Sequence, residues 1–345
     1  MSVTGNVTMG SKWTFDRLRG AAAAALSAEC STQPFQSPRW VAAAAAARER
    51  PHEFIAVRAE RFGWPPAYLF GALHRRTGVA IFESMPMGGY GGWVCEQVLS
   101  IAEEAALTLQ WLQCTPFPVL RLTSVPGRAA ALPLACTWRS WPVPASISHR
   151  LEGREYTTHL LDLSADDATL LQRVKPNVRS YLRRVDSLGF SFEIGGADAL
   201  RDFCSWYRRG SQAWRAQAGA LLPDAFFEAL QGPGAMEIWR ARRDGQVVAA
   251  ALFLLGRTQV QYQASGSAKL AGPVSAMDAL IWAAVRHYRE RGLHSMNMGA
   301  SEGLDSVRRF KEKFGAQAVG YRCETYVLPR WFSRHGQAAN QESRP

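Results

Sequence analysis

The sequence predicts an α+β protein made of two copies of one unit. Each copy is expected to be a mixed, mostly antiparallel sheet flanked by helices. Three observations carry this expectation. Strands, a turn, a helix and a closing strand occur in that order twice. The two-residue turn Asp244-Gly245 joins two strand-like runs as a hairpin. Met277, Leu280, Ile281, Ala284, Val285 and Tyr288 recur at the spacing of a packed helix.

The elements follow in chain order. Residues 1–33 are basic and alanine-rich and are expected to be a disordered leader. The first unit, residues 34–155, has strands at "FIAVRAE", "AYLFGALHRR" and "VAIFESMP". The turn "GGYGG", a helix over "WVCEQVLSIAEEAALTLQWLQ" and a strand "VLRLTS" complete it. The second unit, residues 156–330, opens on "VKPNVRSYLRRVDSLGF", where Pro176 suits a first helical turn. Val178, Tyr181, Leu182 and Val185 form the buried stripe of that helix, and Lys175, Arg179 and Arg183 one basic flank. Trp206, Tyr207 and Trp214 follow on another helix, as core aromatics rather than stacking platforms. Strands "MEIWRAR", "QVVAAALFLLG" and "TQVQYQASG", the turn "SAKLAGP", the helix "SAMDALIWAAVRHYRERG" and the strand "SMNMG" repeat the plan. Residues 331–345 lack apolar groups to pack and are expected to be a disordered tail.

Composition narrows the function. With 47% hydrophobic and 20% charged residues, the 345-residue chain is globular and long enough for two domains. No apolar run reaches the roughly 20 residues of a membrane span. Six cysteines form no CxxC pair, so reduced thiols and a cytoplasmic location are expected. The seven histidines lie singly without an HxxxH spacing, and no metal site is expected. The net charge of +11 favours an anionic partner, although an arginine-rich proteome would produce the same excess.

Two segments point to chemistry. Gln263 to Ala268 fits a Q/R-x-x-G-x-G/A loop, whose backbone N–H groups hold a pyrophosphate. Residues 17–22 fit the same letters without a preceding strand. Gly266, Ser267, Lys269 and Ser275 are therefore candidate anion contacts between a strand and a helix. The segment "NMGASEGLDSVRRFKEKFGA" is more specific. On a helix, Leu304, Val307, Phe310 and Phe314 make an apolar stripe. Arg309 and Lys313 point away from it as solvated charges. Lys311 falls inside it, and an ammonium on a buried face needs a counter-charge.

A strand ending in Gly299, a polar loop, and a helix with Phe310-Lys311 and Phe314-Gly315-Ala316 resembles the Fem-like transferases. These are tandem proteins of the GNAT superfamily, close to the BioF2-like acetyltransferases. "SMPMGGYGGWV", "VKPNVRSYLRRVDSLGF" and "GQVVAAALFL" resemble further Fem-like segments in the same order. The resemblance covers roughly residues 35–328. The long coiled-coil arm of many Fem proteins has no heptad run to match it here.

The resemblance implies tandem GNAT-like units and transfer of an amino acid from aminoacyl-tRNA to the amine of a peptide-like acceptor. The acceptor would be a peptidoglycan precursor or a specialised-metabolite peptide. No bound cofactor and no covalent enzyme intermediate are implied. Lys311, with Phe310 beside it, would stabilise charge around the ester. Glu302 is a candidate to take the amine's proton; Asp305 could do so or cap the helix. Lys175, Arg179 and Arg183 would bind donor phosphates, whether of tRNA or of CoA. Tyr90, Trp93, Trp214 and Tyr262 are candidate acceptor contacts. A monomer is expected. The alternative is an acyl-CoA-dependent GNAT N-acyltransferase, for which the Gln263–Ala268 loop speaks. A non-catalytic RNA-binding protein is the remote alternative, and it leaves Lys311 unexplained.

Overall fold

The computed structural model describes residues 12–127, 152–211, 221–270, 275–301 and 303–328. Its first half runs β1 (Thr14–Arg19), α1 (Gly20–Cys30), α2 (Pro38–Arg48), β2 (His52–Glu60), β3 (Ala67–Arg76), β4 (Val79–Glu83), β5 (Trp93–Cys95), α3 (Ile101–Cys114) and β6 (Val119–Thr123). The second half runs β7 (Glu152–Asp162), α4 (Asp167–Arg173), α5 (Pro176–Leu182), β8 (Phe190–Gly195), α6 (Ala197–Ser211) and α7 (Asp224–Ala229). It continues with β9 (Met236–Arg243), β10 (Gln246–Leu255), β11 (Gln259–Ser267), α8 (Ala276–Glu290), β12 (Ser295–Ala300), α9 (Asp305–Glu312) and β13 (Gln317–Val327).

The repeat expected from the sequence is visible as two matching runs of strands. β1, β2, β3 and β4 form an antiparallel meander, and β6 then pairs parallel to β4. β8, β9, β10 and β11 form a second meander, and β12 pairs parallel to β11. A parallel neighbour needs a crossover, which α3 supplies in the first run and α8 in the second. Asp244 and Gly245 both have positive φ, 51° and 76°, so the β9–β10 turn has the geometry predicted for it.

The two runs join edge to edge into one mixed sheet with strand order β1-β2-β3-β4-β6-β13-β7-β12-β11-β10-β9-β8, and β5 lies on β3. The centre of that order is an exchange. β7 follows β6 in the chain but pairs with β12. β13 follows β12 but pairs with β6. β7 and β13 pair with each other from Gln317↔Leu160 to Thr325↔Glu152. The second half thus lends β13 to the first, and β7 and β13 form the seam between the halves. The boundary expected at residues 155 and 156 consequently falls inside β7.

Three apolar clusters fill the layers. One lies under α3 around Phe82, Trp111 and Leu120, and one under α8 around Phe253, Ile281 and Tyr288. The third belongs to both halves: α1, α2, α6 and α7 cover the opposite face with Trp40, Phe203, Phe226 and Tyr207. Trp40 meets Phe226 edge-on at 5.3 Å, which ties the first half to the second. Tyr207 is core, as its helical spacing predicts.

Two expectations need correction. Residues 14–30 are not a leader: β1 pairs with β2 along its length, and α1 buries Ala23 completely. Alanine runs gave no amphipathic signal there, because small residues pack closely without a strong hydrophobic stripe. The helix expected from Trp93 starts at Ile101. Ser100 accepts from the Glu103 amide and the Glu103 carboxylate accepts from the Ser100 amide, a capping box that sets the start. Trp93 to Cys95 form a short strand instead. Glu302, Trp214 and the expected tail lie outside the described residues. No described helix is long and apolar enough to cross a membrane.

Candidate active site

β11 and β12 pair only from Gln259↔Ser295 to Gln261↔Asn297. β12 then shifts register against β7 between Asn297 and Ala300. Gly299, with φ 78°, makes that bulge possible and turns the end of the strand towards α9. Lys311 answers the bulge. The residue is 3% exposed, and its ammonium donates to the carbonyls of Gly299 at 2.8 Å and Ala300 at 2.5 Å. The apolar stripe therefore carries a lysine because a strand end presents bare carbonyls to it. Such charge-assisted bonds offset the cost of taking the ammonium out of water.

Lys313 departs from its expected role as a solvated charge. Its ammonium lies 2.5 Å from the buried Asp278 carboxylate and 4.4 Å from the centre of the Phe310 ring. The other Asp278 oxygen accepts from the Tyr181 hydroxyl. Burial and this carboxylate push the Tyr181 phenol up. Phe310 thus packs between Lys313 and Tyr262, whose ring is 6.3 Å away. Asp305 is not the side-chain cap of α9, for Leu304 stands at the cap position and Asp305 pairs with Arg308 at 2.9 Å.

Several expected contacts lie elsewhere. Gln263 to Ser267 belong to strand β11, not to a loop. Gly266 is there for packing: a Cβ on it would stand 2.1 Å from the Trp206 carbonyl oxygen of α6. Ser267 shares the strand, Lys269 is exposed, and the Ser275 hydroxyl caps α8 by accepting from the Asp278 amide at 3.2 Å. On the basic flank, Lys175 and Arg183 are exposed. Arg179 folds back and donates to the Val174 carbonyl at 3.2 and 3.0 Å. The Lys175 amide donates to the Lys313 carbonyl at 2.8 Å, so this flank adjoins the end of α9.

The proposed acceptor aromatics are mostly structural. Trp93 is buried against Trp111, and its indole donates to Thr108 at 3.0 Å. Tyr90 is 2% exposed, and its hydroxyl donates to Gln261 at 2.7 Å and accepts from Asn297. Asn297 also accepts from Thr158 at 2.6 Å and from the Gly299 amide at 2.8 Å. This buried network fastens the glycine-rich loop of the first half to the bulge of the second. The Tyr262 hydroxyl meets Ser265, and burial pushes its phenol up to about 12.

Beside the bulge opens a cavity of about 430 Å³. Glu155, Tyr156, His159, Ser301, Asp305 and Arg308 are among its walls. His159 is 1% exposed, and its Nδ1 lies 3.5 Å from the Ser301 hydroxyl. Burial, then the Lys311 charge, pulls the His159 imidazole down. Neither His159 nor Ser301 carried a sequence signal, since β7 and β12 pair across a long separation in the chain.

A second cluster sits in the first half. Ligand atoms of His52, His74 and Glu83 lie within 4.8 Å of one another, a grouping of histidines that sequence spacing did not show. Arg48 at 2.5 Å and Arg121 at 2.7 Å already neutralise Glu83. Burial alone would raise this carboxyl; His74 and the arginines outweigh it and hold it at about 2.

Residues 172–312 match the acetyltransferase (GNAT) domain family. Among solved structures, FemX aligns over 92% of this chain and 99% of its own at a TM-score of 0.66 and 11% identity. The chain has the Fem-like form of the GNAT fold. A conserved protein of unknown function from Bacteroides thetaiotaomicron aligns over 89% and 95% at 0.54 and 10% identity. L-PGS from Bacillus licheniformis aligns over 89% and 91% at 0.50 and 12% identity. No curated protein sequence matches the chain. Lys311 and the β12 bulge lie inside the residues that match the GNAT domain.

Proposed function

We propose that the protein transfers an amino acid from aminoacyl-tRNA to the amine of a peptide-like acceptor. The amine nitrogen attacks the ester carbonyl, a C–N bond forms, and the C–O bond to the ribose breaks. The nitrogen loses a proton and the ribose oxygen gains one. Lys311 favours the negative charge that develops, acting through the peptide groups of Gly299 and Ala300 that it polarises.

The observation that carries the choice of donor is Asp278. A CoA pyrophosphate would approach the first turn of α8, where the Ser275 hydroxyl already takes the Asp278 amide. Asp278 places a buried carboxylate in that turn, held by Tyr181 and Lys313. That turn is thus filled by an engaged carboxylate rather than left open to a pyrophosphate. The exposed Lys175 and Arg183 and the net charge of +11 suit a tRNA. Purified protein offered charged tRNA pools and acetyl-CoA side by side provides the test. Transfer of the tRNA-borne amino acid to an amine supports the reading. Transfer of acetyl alone replaces it with an acyl-CoA enzyme.

A further inference from the structure

The cavity beside the β12 bulge has groups that receive protons, which points to the class of ligand it takes. His159 projects from β7, opposite Ala318 of β13, and is almost entirely buried where it meets the cavity. Among the described residues its Nε2 has no hydrogen-bond partner. Ser301 lines the cavity together with His159, and its hydroxyl oxygen lies 3.5 Å from Nδ1. Contacts of this length tighten when a substrate closes the site. At the mouth, the Glu155 and Asp305 side chains are 80% and 68% exposed, which suits the approach of an ammonium. Arg308 is the cation of the wall, and Asp305 at 2.9 Å and Glu312 at 3.3 Å hold it along α9.

We propose that this cavity receives the acceptor's amine and that its proton passes through the Ser301 hydroxyl to His159. The proposal rests on the aminoacyl-transfer reading. As the C–N bond forms, the nitrogen gives its proton to the Ser301 oxygen, and Ser301 gives its own to Nδ1. The ribose oxygen released by C–O cleavage takes its proton from water, and His159 returns the extra one to water afterwards. The charged groups acting on the ring come from α9: Lys311 and Arg308 disfavour its protonated form, and Glu312 favours it. From β12, the Gly299 carbonyl also favours it. On its own strand Glu155 stands at the cavity mouth. Burial and these charges keep the ring neutral at rest, with Nδ1 turned to the Ser301 hydroxyl.

The test needs no donor for its first arm. The full chain is labelled with ¹⁵N-histidine, and a His159→Gln variant assigns the His159 ring signals. Glycinamide is the probe, because an α-amine of pKa about 8 is substantially unprotonated at pH 8. The His159 signals shift saturably with glycinamide, and Ser301→Ala removes most of the shift. Signals that stay in place up to the solubility limit overturn the proposal, whatever the donor. The second arm is single-turnover transfer from charged tRNA to glycinamide. His159→Gln lowers the rate about 100-fold or more, the usual contribution of a positioned base, and flattens the acidic limb of its pH profile. A parental rate and profile in that variant also overturn the proposal. A parent that shifts with glycinamide but transfers nothing from tRNA refutes the donor reading and leaves the amine site standing. If His159→Gln does not fold, Ser301→Ala supplies both readouts, and remaining histidine signals are assigned by elimination.

Discussion

Replacing Lys311 with methionine keeps the aliphatic stem and deletes the ammonium. The stem packs in the α9 stripe, so the loss includes the bonds to the Gly299 and Ala300 carbonyls. Hydrogen bonds to a charged group contribute about 1.5–3 kcal/mol each. Methionine recovers part of this, because no ammonium must be desolvated. The expected net loss is about 2–4 kcal/mol. Unfolding entropy of about 2.1 cal/mol/K per residue makes 1 kcal/mol worth roughly 1.4 °C in a chain of 345 residues. The melting temperature should fall by about 3–6 °C. Turnover should fall further, about a hundred- to a thousandfold, if the polarised peptides stabilise the transition state. Calorimetry and single-turnover transfer on the same preparation read both effects. A mutant that melts within a degree of the parent refutes the account of the buried ammonium. A destabilised mutant with parental turnover, measured well below its melting point, refutes the catalytic part alone.

Reversing Lys175, Arg179 and Arg183 to glutamate should abolish retention of tRNA on a filter. Arg179 also caps Val174, so Lys175→Glu with Arg183→Glu separates charge from stability. The parent's log affinity should fall with log salt at a slope of about −2 to −3 if all three side chains meet phosphates. Stability should depend on acid through Glu83. Its folded pKa is depressed to about 2 from 4.5, so the stabilisation is complete above about 4.5 and is lost as pH falls towards 2. The shift corresponds to about 3 kcal/mol, and Glu83→Gln should flatten urea midpoints measured from pH 6 to pH 3. Gly266→Ala should destabilise by a few kcal/mol, since its methyl meets the Trp206 backbone rather than a movable side chain. A variant with an unchanged urea midpoint would show that α6 can retreat.

Local pattern was enough for much of the fold. Period-2 and period-3.6 stripes, the Asp244-Gly245 turn and the repeated element order come from neighbours a few residues apart, and the structure keeps them. The same pattern singled out Lys311, because a charge inside an apolar stripe is a local contradiction. What the lysine meets was beyond local reach. Its two carbonyls belong to a bulge created by pairing β12 with β7, strands separated by more than 130 residues. His159, Ser301, Asn297 and Tyr90 come together through that pairing and through the shared core, and nothing in their sequence neighbourhoods announces it. The Gly266 segment failed for a related reason: its letters fit a phosphate loop, but close packing against α6 demands the same glycine. Periodicity therefore determined which faces are buried, and only the tertiary structure decided which buried faces meet, since contacts between distant strands depend on the whole chain's packing.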